Sequence, residues 1–389
     1  MDDLNNIVAD YKQNIDEFYT KIKTENYLKE IIDDILLIYY EITEGKSVKN
    51  SIIRDLLLQP IAISPIYCNE YIENIKKKII NLKKIKQPEQ RSEEWHTFRN
   101  NRLTASDLAT ALKKNKYSSR DVLIAKKCGY TEKFLSGSAI LHGVKYEDVA
   151  IKIYENRNNV IVDEYGCIPH PEIDYFAASP DGICSYESKN INYIGRMLEI
   201  KCPKSREITG VVPEHYELQV QGQLEVCDLN LCDFLECDIK EYESLNDFIK
   251  DSLDETNLKM NKENMEKGVI IEIYDTNKKT NIYKYLNDFT NLEDIEKWEE
   301  LELNLIMNKD EFDYTGTTYW YLRKYSCVLV SRDVERFNII KEKIKQFWDD
   351  VLKYRKIGYS DLIKKKKKSY SFNTNMNTKN ELKFLPDSD

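Results

Sequence analysis

The stretch that most restricts the fold is Met197-Leu-Glu-Ile-Lys-Cys-Pro203, an apolar run with charge at two alternate positions. In a β-strand successive side chains point to opposite faces, so Glu199 and Lys201 share one face while Ile200 points away into a core. Upstream, Ala177-Ala-Ser-Pro-Asp-Gly182 sets Asp181 between a proline and a glycine, at a turn that can hold a carboxylate at the end of a sheet. Two carboxylates and one ammonium then converge. Hard divalent cations take one or two carboxylates together with waters and a substrate phosphate. A neighbouring lysine can orient the attacking water and help deprotonate it. The pattern P-D…E-x-K therefore supports metal-dependent cleavage of a phosphodiester.

Glu44-Gly-Lys46, Glu187-Ser-Lys189 and Glu381-Leu-Lys383 repeat E-x-K, but in polar, turn-like or tail contexts. Only Glu199-Ile-Lys201 lies in a strand-like run behind an S-P-D-G turn. The competing reading of this pair is a solvated charge pair on a strand.

With 389 residues the chain has room for one large domain or two modest ones. No stretch has the length of a membrane span, and Met1-Asp-Asp-Leu-Asn5 lacks the basic flank and apolar core of a signal peptide. Nine scattered cysteines fit a reducing compartment better than a disulfide framework. A formal net charge of −9 does not advertise nucleic-acid binding, yet such binding needs only a local basic path.

Residues 1–88 read as a helical extension. Apolar positions 28, 31, 32, 35, 36, 38 and 39 fit an amphipathic helix, Pro60 and Pro65 interrupt the pattern, and a lysine-rich helix resumes over 69–86. That basic helix is either a solvated face or a contact for phosphate backbone. From 91 to 99 a helix should pack Trp95 and Phe98 inward. Thr104, Ser106 or Asp107 could cap a helix over 108–114, and a helix N-terminus with Arg99 nearby would make an anion site. A helix is expected to start after Gly143 with Glu147 in its early part. Strands are expected over 159–168 and 231–239, with a helix through 216–225 between them, giving a mixed sheet flanked by helices. The polar segment 246–316 holds a hairpin formed by 269–274 and 281–285. A strand over 326–331 and a helix over 333–355 follow. The last residues, 361–389, read as a basic, disordered tail.

With these residues in place, the chain resembles the lambda-type exonuclease, or YqaJ-like viral recombinase, family of the restriction-endonuclease-like superfamily. The motifs are W-H-x-x-R (95–99), T-A-S (104–106), G-x-x-x-E (143–147), S-P-D-G (179–182), L-E-I-K-C-P (198–203) and Q-V-Q (219–221), in that order. The resemblance covers about residues 91–240 and, more loosely, 326–352. It implies an α/β (α+β) fold, a nuclease domain over 89–360 with core 91–245, insertion 246–316 and closing strand and helix 326–355. It implies a 5′→3′ exonuclease acting on double-stranded DNA ends. By motif, Asp181, Glu199 and the Ile200 carbonyl would hold Mg²⁺, two ions per site, with Mn²⁺ able to substitute. Lys201 would position the water and Glu147 would stand by as an outer carboxylate. Arg99, Ser106, Ser179 and Gln221, with Gln219 as the alternative in helix phase, would grip the 5′-phosphate. A single-strand annealing protein, a homotrimeric ring and a role in replication, recombination or repair inside the cell, cytoplasmic or nuclear, are implied too, with a large DNA virus as an expected source. The N-terminal extension and the insertion depart from compact family members and put the ring in question.

Other readings stand beside this one. Cys227, Cys232 and Cys237 could seed an iron–sulfur cluster, or be buried packing residues, since no fourth ligand lies nearby. Cys202 reads as a packed residue and His96, His142, His170 and His215 show no metal-ligand spacing. An endonuclease acting on internal or branched DNA, and a DNA-binding scaffold without catalysis, are the functional alternatives.

Overall fold

The computed structural model describes residues 7–8, 25–43, 65–88, 92–131, 137–254 and 257–363. Helices α1 (Glu25–Ile42) and α2 (Pro65–Lys84) come first. The proline at 65 opens α2 instead of breaking it, because a first-turn residue has no intrahelical use for its N–H. Helix α3 (Glu93–Asn100) is capped by Ser92, whose side chain accepts from the Trp95 N–H. Strand β1 (Leu103–Thr104), a 3₁₀ turn (Ala105–Asp107) and the helices α4 (Leu108–Ala111) and α5 (Arg120–Lys127) follow. Helix α6 (Ser138–Asn158) stops at Asn159, whose left-handed φ of 56° suits asparagine.

Next come β2 (Val162–Asp163), β3 (Ile168–Pro169), β4 (Phe176–Ala178), β5 (Gly182–Cys184) and β6 (Met197–Lys201). Helix α7 (Glu214–Cys227) links β6 to β7 (Leu231–Glu241). The remainder is α8 (Leu245–Lys250), β8 (Ser252–Asp254), β9 (Asn257–Asn261), β10 (Lys267–Asp275), β11 (Thr280–Tyr285), α9 (Leu292–Met307), β12 (Phe312–Ser331) and α10 (Val334–Ile357).

These strands build a 7-stranded mixed sheet in the order β11-β10-β12-β7-β6-β5-β2. Strands β6 and β7 are parallel, which is why a helix has to carry the chain between them. The other neighbours are antiparallel. A small second sheet, β1-β4-β3, lies alongside. Alternation sorts the central strands into two cores. Ile183, Met197, Cys232 and Phe234 pack with residues of α2, α4, α5, α7 and α10. Cys184, Leu198, Ile200, Leu235 and Cys237 pack on the other face with Tyr146, Val149, Ile153 and Tyr154 of α6. The fold is thus a mixed α/β sheet flanked by helices.

Several elements differ from their sequence expectation. Helix α6 starts at Ser138, so Gly143 is interior to it and Glu147 sits in mid-helix. The stretch 159–168 is broken into β2 and β3, which belong to different sheets. Trp95 and Phe98 are half-buried, because the guanidinium groups of Arg99 and Arg102 lie over their rings at 4.3 and 3.7 Å. Strand β12 begins at Phe312, well before 326, and its first part joins the β10–β11 hairpin in extending the central sheet. The basic helix α2 buries Ile75, Ile79 and Leu82 in the core, while Lys78 pairs with Asp228 at 2.8 Å and Lys83 with Asp163 at 2.7 Å. These two lysines bind protein carboxylates. Of the expected tail, residues 361–363 are helical and Leu362 is buried against the core, while 364–389 lie outside the described residues.

Candidate carboxylate and phosphate site

The S-P-D-G turn carries the chain from β4 in the small sheet to β5 in the large one. Its glycine is required by close approach, since a Cβ at Gly182 would lie 2.2 Å from Val162 Cγ1 on β2. The turn ends with Asp181 beside β6, where its Oδ2 accepts the Ile200 N–H at 2.6 Å. Strand alternation puts Ile200 into the core under α6 and leaves Glu199 and Lys201 on the opposite face, the face toward α7. There Lys201 Nζ lies 2.9 Å from Glu199 Oε1.

Glu199 has no solvent exposure, so its charge needs internal donors. Helix α7 supplies them from one face. Gln219 Nε2 donates to Oε1 at 2.7 Å, and Gln223 Nε2 donates to Oε2 at 2.6 Å. Gln223 also donates to the Ser179 carbonyl at 3.1 Å, which ties the S-P-D-G turn to the carboxylate. Burial, then Glu199, then Glu147 push the Asp181 carboxyl well above its ordinary range. Burial works against the Lys201 ammonium, but Glu199 and Asp181 overcome it and raise its pKa. Lys201 is therefore held as a cation that donates hydrogen bonds, and not as a free base.

A second constellation adjoins the first through Ser179. Arg99, at the end of α3, directs its guanidinium to the hydroxyls of Ser106 (2.9 Å), Ser179 (3.5 Å) and Thr104 (3.5 Å). Among the described residues no carboxylate pairs with it. Asp107 instead takes Lys127 at 2.9 Å, and Lys127 also donates to the Arg99 carbonyl. Burial raises the Asp107 carboxyl, yet Lys127 and then Arg99 hold it below its usual range. The hydroxyls do not cap a helix as expected. Neither Thr104 nor Asp107 makes a side-chain cap bond, and α4 spans only 4 residues. The anion-facing character of this corner comes from the guanidinium and hydroxyls. What brings Ser106 here is Gly222 on α7, whose bare Cα approaches so close that a Cβ would sit 3.1 Å from Ala105 Cβ.

The structure brings together Asp181, Glu199, Lys201 and Ile200, and separately Arg99, Ser106 and Ser179. Glu147 is half-buried on α6 and reaches the centre through its charge on Asp181. The two glutamines expected at the phosphate do other work. Gln219 holds Glu199. Gln221 turns to the β12–α10 junction, donating to the Ser331 carbonyl at 2.8 Å and accepting from the Asp333 N–H at 2.7 Å. Gln223 is absent from the sequence expectation. The signal for it lies in Q-V-Q-G-Q: positions 219 and 223 share a helix face, whereas 219 and 221 do not.

Among the described residues, no three His, Cys, Asp or Glu side chains are gathered as a metal-ligand group. The donor chemistry at β5–β6 nevertheless fits a hard cation. It is all oxygen, and burial, with Glu199 and Glu147 adding their negative charge, raises Asp181. The cysteines do not form such a group. Cys232 and Cys237 are buried in cores on opposite faces of the sheet, and Cys202 is buried with its Sγ 3.5 Å from the Tyr146 carbonyl.

A mixed sheet that brings two acids and a lysine to adjoining strands, next to an arginine–hydroxyl pocket, defines a class of site suited to phosphodiesters. Residues 94–230, from α3 to the turn before β7, match the model of the YqaJ-like viral recombinase domain. Uncharacterized protein R354 of Acanthamoeba polyphaga mimivirus is 38% identical over 309 residues, 73% of this chain and 56% of that protein. A protein of African swine fever virus (strain Badajoz 1971 Vero-adapted) is 32% identical over 162 residues, 35% of this chain and 46% of that protein. The chain thus spans about half the length of these viral relatives. Among solved structures, an alkaline exonuclease from Laribacter hongkongensis is similar at 20% identity and a TM-score of 0.38, over 72% of this chain and 100% of that one. No helix among the described residues is long and apolar enough to cross a membrane.

Proposed function

We propose that this chain is a Mg²⁺-dependent nuclease that degrades one strand of linear double-stranded DNA 5′→3′ from a 5′-phosphorylated end. The observation that carries the reading is the shared Ser179–Asp181 turn. Its hydroxyl faces Arg99, its carbonyl is held by Gln223, and its carboxylate adjoins Glu199 and Lys201. Asp181, Glu199 and the Ile200 carbonyl would hold the cation, two ions in all, with Glu147 as an outer carboxylate. When bound, Mg²⁺ supplies Lewis-acid polarisation of the phosphate and neutralises charge at the leaving oxygen. Lys201, kept protonated, orients the water nucleophile and offsets negative charge as it develops. Arg99 with Ser106 and Ser179 fixes the terminal phosphate without reading sequence. A single-strand annealing partner and a trimeric ring belong to the same reading, as does a role in recombination or repair.

The test uses linear duplexes labelled at either end, with and without a 5′-phosphate, and a closed circle, in Mg²⁺ or EDTA. Release of 5′ nucleotides, lost in EDTA and in Lys201→Ala, is the expected result. The preference for a 5′-phosphate should disappear in Arg99→Ala. Cutting of the circle as fast as the linear duplex would replace end recognition by endonuclease action.

A further inference from the structure

The polar segment 246–316 helps to wall a cavity that the chemistry above does not use. Its volume is about 870 Å³. Tyr242 after β7 and Tyr321 of β12 form one side, and Lys250, Asp251, Asn261 and Lys262 from the α8–β9 region form the other. Strand alternation relates it to the carboxylate centre. Cys232 and Phe234 of β7 pack on the face that carries Glu199, so Lys240 stands on that face too, and Tyr321 is the register partner of Lys240. Lys201 is paired with Glu236, four residues back along β7, and β6 lies two strands from β12. At about 3.3 Å per residue and about 4.8 Å per strand, the separation is roughly 16 Å.

Asn261 is 3% exposed, and its Oδ1 accepts the N–H groups of Glu263 at 3.0 Å and Met265 at 2.8 Å. Those two bonds set the orientation of the amide. They leave Nδ2 of this cavity-lining residue without an acceptor among the described residues. A polar group so deeply placed calls for an acceptor from a ligand. The cavity also holds a ring pair. Tyr242 and Tyr321 have centroids 4.7 Å apart at 41°, and the Tyr242 hydroxyl is tied to Asp251 at 2.7 Å. Carboxylates line the cavity too, but three of them are engaged within the protein: Glu241 by Lys145 and Tyr146, Asp247 by Ser244, and Asp251 by Tyr242. Glu243 and Glu263 share the rim with Lys250 and Lys262, and neither lysine pairs with a carboxylate among the described residues.

We propose that this cavity binds one nucleotide of a single DNA strand. The base stacks against the Tyr242–Tyr321 pair and accepts a hydrogen bond from Asn261 Nδ2, while Lys250 and Lys262 hold its phosphates. Aromatic faces tolerate any base, and paired with cations they are the means by which proteins hold single strands. The roughly 16 Å to Lys201 corresponds to about five nucleotides at the ~3.4 Å spacing of a stacked strand, so one strand reaches both places. The identity of the strand rests on the nuclease reading, but binding in the cavity does not require cleavage.

The experiment measures binding of a labelled short oligothymidylate and of an abasic strand of equal length, in EDTA, with dTMP as competitor. Thermal unfolding is followed for every variant. Wild type should bind the base-bearing strand roughly tenfold tighter than the abasic one, the range expected for a stacked base. Tyr321→Leu and Asn261→Asp should each remove most of that preference, and Tyr321→Phe should keep it. Asn261→Asp retains an acceptor for both backbone N–H groups, and the abasic strand reports what its added charge does alone. Lys250→Ala/Lys262→Ala should weaken both strands alike and reduce the salt dependence. Equal binding of the two strands by wild type, or an unchanged preference in a folded Tyr321→Leu, would overturn the proposal. So would an arginine-rich peptide that displaces the strand and itself fails to bind Tyr321→Leu. Competition by dTMP at the affinity of the strand would overturn the strand as the source and assign the cavity to free nucleotides. Cleavage of linear duplex in Mg²⁺ is assayed in parallel. Base-dependent binding without any cleavage would sustain the cavity and refute the nuclease reading, whereas cleavage without base-dependent binding would refute the cavity alone.

Discussion

Replacing Gln223 with methionine separates stability from activity. Gln223 is buried, donates to Glu199 Oε2 at 2.6 Å and to the Ser179 carbonyl at 3.1 Å, and leaves its own Oε1 without a partner among the described residues. A bond to a charged acceptor contributes about 1.5–3 kcal/mol and one to a neutral carbonyl about 1 kcal/mol, while a buried unsatisfied oxygen costs about 1–3 kcal/mol. Methionine of similar length removes the two bonds and the orphaned oxygen together, so the net destabilisation should be only about 1–2 kcal/mol. In melting temperature that amounts to roughly a few degrees. The effect on catalysis should be larger, because Glu199 then keeps only Gln219 and Lys201, and the turn bearing Asp181 loses its tie to it. Displacement of a reacting group by even 1 Å can cost about 100-fold, so kcat should fall about 10- to 100-fold on a 5′-phosphorylated duplex. The measurement pairs initial rates with thermal unfolding. A folded Gln223→Met enzyme with unchanged kcat would refute the argument that Gln223 holds the two acids in register.

Gln221→Ala should behave oppositely: it removes both bonds at the β12–α10 junction, costs about 1–3 kcal/mol in thermal unfolding, and leaves the 5′-phosphate preference intact. Asp107, whose carboxyl is depressed, contributes stability that is full above the unfolded pKa of about 3.9 and is lost as pH falls through the folded value. Asp107→Asn should flatten the acid arm of a plot of Tm against pH. Lys267 is the reverse case. Burial pushes it from 10.5 down to about 8, so the unfolded chain binds the extra proton between those values and stability rises with pH across that window. The rise should be on the order of 3 kcal/mol and absent in Lys267→Met, as unfolding free energies at pH 7.5 and 10.5 would reveal. Mg²⁺ should raise the Tm of the wild type by mass action, about 2.7 kcal/mol of stabilisation at 100 times Kd. An equal shift in Asp181→Asn/Glu199→Gln would place the cation elsewhere.

Much of the centre is legible in the sequence because it rests on short-range rules. A strand's period of two fixes Glu199 and Lys201 on one face and Ile200 in the core, whatever surrounds them. The S-P-D-G turn and the hairpin of β10 and β11 are local in the same sense. The α2 helix is legible as a helix, but whether its lysines face solvent or protein depends on Asp163 and Asp228, far along the chain. The start of β12 is hidden for a similar reason. Residues 312–325 are rich in aromatic residues and threonine but lack a regular apolar–polar alternation along their length, and they pair as strand with β10 and β7.

What the sequence by itself determined is the carboxylate–lysine strand, its turn, and the helices and strands whose own periodicity specifies them locally. What only the tertiary structure decided is which polar groups meet. Arg99, Ser106 and Ser179 come from an α-helix, a 3₁₀ turn and a sheet-to-sheet turn. Gln223 outranks Gln221 because α7 crosses the sheet with the 219–223 face toward Glu199. Glu236 becomes a neighbour of Lys201 only through the parallel pairing of β6 with β7. Hydrogen bonds and ion pairs act over a few ångströms, and the separations they span here, 20 residues between Gln219 and Glu199 and 80 between Arg99 and Ser179, are closed by packing and not by any pattern along the chain.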